Sequence, residues 1–133
     1  MIELIVVIAL LGIMAVVASA RFWNNQTFND RSDLDQVQFI LKTAQKLSMA
    51  QRRDVFIVQV GNTINLCYQN SNPCPAGQSV TINNKDYTIT TKNNIAIPSM
   101  KFNSLGNTGS GTINLAIGSR NLTIEQESGF IHE

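Results

Sequence analysis

Residues 1–20 read MIELIVVIALLGIMAVVASA, an apolar run whose single charge is Glu3. Coiled as a helix with a rise of about 1.5 Å per residue, twenty residues cover roughly 30 Å, the thickness of a bilayer's hydrocarbon core. The run therefore reads as a transmembrane helix over 1–20. A cleaved secretory signal would have a basic start and an apolar core of about 7–15 residues, whereas this run has no basic start and a longer core. An ordinary anchor is the plain reading, and it leaves Glu3 unexplained. An ionised carboxylate near the end of an apolar helix costs on the order of 2–3 kcal/mol, less where it reaches the interface, so Glu3 is expected to be neutral, paired or functional.

Working outward, the chain changes character at Arg21-Phe22-Trp23-Asn24-Asn25-Gln26-Thr27-Phe28-Asn29-Asp30, where aromatics sit among turn-favouring polar residues. Residues 21–31 read as an interfacial connector. Arg21 can snorkel to phosphate while Phe22 and Trp23 lie at headgroup depth. The alternative is that Trp23 or Phe28 packs beneath the head. Ser32-Asp33-Leu34-Asp35 then reads as a helix start, with Ser32 as N-cap and both aspartates complementing the dipole in the first turn. Leu34, Val37, Leu41, Ala44, Leu47 and Met49-Ala50 recur at steps of three and four, an apolar stripe that faces a core.

From Asp54 the period changes to that of strands. Val55 to Val60 and Thr63 to Tyr68 are rich in β-branched and aromatic residues, and Gly61-Asn62 between them is a hairpin signal. Further strands are expected over 79–82, 86–91, 95–97, 100–103, 112–117 and 121–126. Residues 32–133 thus form an α+β head, an amphipathic helix packed on antiparallel sheet. At 133 residues the chain is expected to hold one domain, and 14% charged residues is low for a soluble protein.

The first thirteen residues, Met1-Ile2-Glu3-Leu4-Ile5-Val6-Val7-Ile8-Ala9-Leu10-Leu11-Gly12-Ile13, resemble the N-terminal signature of the type IV pilin and type II secretion pseudopilin superfamily. In that signature a Gly-Phe-Thr-Leu-Ile-Glu-Leu run opens an apolar helix. Against it the chain starts two residues late, with Met1 in the place of a family Leu or Met. The resemblance implies a type IV pilin-like fold: a long apolar helix, a second helix, and antiparallel sheet. It also implies a prepilin peptidase that cuts after the glycine and methylates the new amine, and a Glu3 that pairs with the amine of a neighbouring subunit during assembly. Such a pair is strong where low dielectric prevents screening and costly when unmatched. Gly12 matches a family glycine that lets the helix unwind in the filament, or else it is a small residue for close helix approach. Many members have a proline before an Arg-Phe pair like Arg21-Phe22; here that place is Ala20, which weakens the expected kink. The order helix, Gln51-Arg52-Arg53, hairpin and a closing strand that ends near Gly129 is similar to H-type minor pseudopilins and to minor pilins such as those of the mannose-sensitive haemagglutinin pilus.

The implied partners are other pilin or pseudopilin subunits, the assembly platform, the prepilin peptidase and the bacterial inner membrane, with the head in the periplasm before incorporation into a pilus or pseudopilus. For a head in that compartment, Cys67 and Cys74 around a polar Asn-Pro loop read as a disulfide. A redox pair has the tighter Cys-x-x-Cys spacing, and zinc needs more ligands than these two and the distant His132. With His132 the sole histidine, no enzyme is expected. No cofactor or metal is expected either, since Asp30, Asp33 and Asp35 lack the calcium-loop pattern. Lys42, Lys46, Arg52 and Arg53 are the sole local basic cluster, in a chain of net charge +1, and read as a solvated face or intersubunit salt bridges. Some related minor pilins bind DNA through a basic C-terminal region. Here the chain is acidic after Arg120, which argues against nucleic acid unless Lys85, Lys92, Lys101 and Arg120 meet in space. An adhesive or ligand-binding tip module is the other alternative.

Overall fold

The computed structural model describes the backbone of residues 2–22 and 25–133 and the side chains of 2–16 and 27–133. Helix α1 runs Ile2–Phe22 and helix α2 Asn25–Gln51. Nine short strands follow among the described residues: β1 Val55–Val60, β2 Thr63–Cys67, β3 Thr81–Ile82, β4 Lys85–Asp86, β5 Thr88–Thr90, β6 Met100–Phe102, β7 Ile113–Ile117, β8 Arg120–Ile124 and β9 Ile131–His132. They form a four-stranded sheet in the order β5-β2-β1-β6, a three-stranded sheet β7-β8-β9 and the small β3-β4 hairpin. All pairings are antiparallel. The fold class is α+β.

Helix α2 begins at Asn25, seven residues before the expected N-cap at Ser32. No proline or glycine lies between the two positions to stop a helix, and the cap preference is a weak prior beside tertiary bonds. Those bonds come from residues 92–93. The Lys92 Nζ donates to Asn29 Oδ1 at 3.3 Å and the Asn93 Nδ2 to Asp30 Oδ1 at 2.8 Å. The 21–31 connector is therefore helical from Asn25 onward. Ser32 lies inside the helix, where its Oγ accepts from the Gln36 amide.

The buried stripe of α2 is Leu34, Val37, Ile40, Leu41 and Ala44, with Leu47 partly buried against the core. Met49 and Ala50, expected to continue it, are exposed, because a helix turning 100° per residue carries Ser48 inward at that level instead. The stripe covers both larger sheets, whose inward positions alternate as the pleat requires. Ile57 faces Leu66 across β1–β2, Leu115 faces Leu122 across β7–β8, and Phe102 lies opposite Val55. All six are at most 1% exposed.

The expected hairpin at Gly61-Asn62 joins β1 to β2, with Gly61 at φ +60°, a conformation suited to glycine. The segment 95–97 is not a strand. Its backbone is held by one side chain: Gln59 Oε1 accepts from Ile97 N at 2.7 Å and Gln59 Nε2 donates to Ile95 O. The last expected strand, 121–126, is β8, and a further strand that was not expected, β9, lies beyond Gly129 and pairs with β8 through Ile124 and Ile131.

Candidate functional site

Helix α1 departs most from what a globular chain does with its apolar residues. Exposure is 49% at Val7, 59% at Ile8, 62% at Leu11 and 80% at Ile2. Consecutive residues on a helix are rotated by about 100°, so the exposed run Leu4, Ile5, Val6, Val7 and Ile8 passes round the whole cylinder. A helix apolar on all sides is one that is buried by something. Glu3 lies in its first turn and is exposed, a carboxylate at one end of an apolar rod. Gly12 lies in mid-helix, and a Cβ added there would meet nothing within 4 Å, so no part of the described chain demands its small size.

Among the described residues no helix is long and apolar enough to cross a membrane. The expected transmembrane span over 1–20 is thus not found as such. Arg21 and Phe22 end α1 with their side chains outside the described set, and Trp23 lies outside the described residues altogether.

The head is joined to its helix by polar clasps that the sequence reading did not single out. Asp33, expected as a solvated first-turn residue, is 0% exposed and stands a full two turns into α2. Its Oδ1 accepts from Lys92 N at 2.9 Å and its Oδ2 from Asn93 N at 2.8 Å. The signal was its phase: Asp33, Val37, Ile40, Ala44 and Ser48 share one buried face. Further along, Gln45 Nε2 donates to Gly106 O at 3.0 Å and Ser128 O at 2.9 Å, drawing two loops onto the helix.

Cys67 and Cys74 form the expected disulfide, with Cα atoms 5.9 Å apart. Val58 and Cys67 lie on the face of the four-stranded sheet opposite Ile57 and Leu66, yet are 1% and 0% exposed. The looped segment after Cys67 covers them, pinned by Asn72 Nδ2 donating to Gln59 O at 3.0 Å. Tyr68 within that segment lies beneath the Arg53 guanidinium, 3.0 Å from its ring centroid.

Of the four cations considered for nucleic acid, three are engaged locally, and Lys85 lies exposed on β4. Lys101 pairs with Asp54 at 2.7 Å, Arg120 pairs with Glu133, and Lys92 bonds to Asn29. Lys42 and Lys46 lie on the exposed face of α2. Among the described residues no three His, Cys, Asp or Glu side chains converge as metal ligands. No family model matches the chain, and no curated protein or solved structure matches it.

Proposed function

We propose that this chain is a type IV pilin-like assembly subunit, a minor pilin or pseudopilin, whose apolar helix α1 is buried among the helices of neighbouring subunits. The observation that carries the reading is the exposed apolar surface that runs round α1 over residues 2–16, with Glu3 at one end. Contiguous apolar surface of this extent is a liability unless lipid or protein covers it. The resemblance of residues 1–13 to the pilin signature supplies the kind of cover: lipid of the inner membrane before assembly, and other pilin helices after it. Glu3 then meets an amine of a neighbour within that apolar bundle, where an ion pair fixes register between subunits. The α+β head, held by its own core and clasps, stays outside the bundle and faces the periplasm or the filament surface.

The reading is tested in the producing bacterium by shearing surface filaments and probing them for this chain. Wild-type protein is expected in the sheared or filament-associated fraction, and Glu3→Ala is expected to stay with the membranes at equal cellular abundance. Equal incorporation of the Glu3→Ala protein would remove Glu3 from assembly. Absence of the wild-type chain from every filament fraction would overturn the proposal.

A further inference from the structure

We infer that the head carries a binding cleft for a neutral saccharide between the disulfide loop and the β3-β4 hairpin. The cleft encloses about 490 Å³. That is within the size range of small-ligand sites. Its floor is the outer face of the four-stranded sheet, where Asn65 of β2 and Thr88 of β5 are direct cross-strand partners. One wall is formed by Pro73, inside the loop closed by Cys67–Cys74, and by Pro75 just beyond it. The other wall carries Ser79, Thr81 and Asp86. The Ser79 hydroxyl donates to Asp86 Oδ1 at 2.6 Å, which holds the carboxylate against Ser79.

The chemistry of the lining selects the ligand class. A carboxylate, an amide and hydroxyls offer acceptors and donors at close spacing, the pattern that paired sugar hydroxyls satisfy. The proline wall gives the C–H face of a pyranose an apolar surface. Among the described residues no lysine or arginine lines the cleft, and Asp86 gives it one negative charge, so phosphate, sulfate and carboxylate ligands are repelled. The cleft lies wholly in the head and uses no residue of α1, so this inference and the assembly reading can fail separately.

The test is an NMR titration of the full chain in a detergent without a sugar headgroup. The probes are lactose, cellobiose, mannobiose and N,N′-diacetylchitobiose, with sialyllactose and a lysine-rich peptide as comparators. At least one neutral disaccharide is expected to give saturable shifts at the amides of residues 65, 86 and 88, with a Kd on the order of 1 mM. Asp86→Asn, which preserves shape and the Ser79 contact, and Asn65→Ala should each weaken it about tenfold, equivalent to about 1.4 kcal/mol, while spectra stay dispersed. Reducing the disulfide should weaken it as well, by releasing the proline wall. No saturable shift with any neutral disaccharide, shifts that both substitutions leave unchanged, or tighter binding of sialyllactose or the peptide would each overturn the inference.

Discussion

Replacing Asp33 by alanine should cost the head a large share of its stability, although the residue reads in sequence as a solvated helix-start aspartate. Both carboxylate oxygens of this fully buried side chain accept backbone N–H groups, from Lys92 at 2.9 Å and Asn93 at 2.8 Å. Hydrogen bonds to a charged acceptor contribute about 1.5–3 kcal/mol each, which gives about 3–6 kcal/mol for two. Lys92 is exposed and Asn93 half-buried, so water can reach the orphaned N–H groups once the carboxylate is gone, and the lower end, about 3 kcal/mol, is expected. For a head of about 100 residues, each kcal/mol moves Tm by about 4–8 °C, so Asp33→Ala should lower it by about 12–24 °C. Asp33→Asn keeps the volume and one acceptor but turns an amide N–H against a backbone donor; about 2 kcal/mol is expected. Near-UV circular dichroism of the full chain in mild detergent follows the head without the signal of α1. Asp35→Ala, on the exposed face one residue beyond Leu34, should lie within about 0.5 kcal/mol of the parent. If Asp33→Ala and Asp33→Asn matched Asp35→Ala, the clasp would have no energetic role and the reasoning would fail.

Gly129→Ala would place a Cβ 2.6 Å from Gln45 Nε2 and inside contact with Gly106 O, at φ +62°. A loss of about 2–3 kcal/mol in urea unfolding is expected, against about 1 kcal/mol for Gly77→Ala, which has a positive φ but open space. Removing the disulfide with a double Cys67→Ala, Cys74→Ala substitution should cost about 2–3 kcal/mol by chain entropy for so short a loop, read from the same unfolding curves with and without the bond. Gln59→Glu replaces the amide that donates to Gly61 O at 2.7 Å and to Ile95 O by an oxygen. About 2–3 kcal/mol should be lost, and hydrogen exchange at Ile97 should accelerate, whereas unchanged exchange there would deny Gln59 its part in holding 95–97.

What could be read from the sequence was whatever depends on neighbours along the chain. Val55 to Val60, the Gly61-Asn62 turn and the strands expected over 112–117 and 121–126 announce themselves by alternation and turn chemistry, whereas the two-residue β9 is too short to do so. The disulfide pairing was legible because only two cysteines exist, seven residues apart. What depends on distant partners was not. Asp33 meets residues about sixty positions away, and an acidic residue after a serine looks the same whether it caps a helix or clasps a loop. Ile95 and Ile97 have the composition of a strand, but the group that satisfies their backbone is a glutamine side chain from β1. The start of α2 at Asn25 was hidden for the same reason, since Asn29 and Asp30 are held by Lys92 and Asn93. For α1 the apolar character was plain from the first twenty residues, and the structure adds that the side chains of residues 2–16 are exposed.

The most direct test of the assembly reading is a cysteine at Leu11, which is 62% exposed on α1, in a chain whose two native cysteines are already bonded to each other. Oxidation in living cells should join Leu11→Cys by a disulfide to filament subunits given a cysteine in their own apolar helices, or to further copies of itself carrying the same substitution, and adding Glu3→Ala should abolish the crosslink. A Leu11→Cys protein that is abundant and folded, yet crosslinks to no filament subunit, would contradict the account.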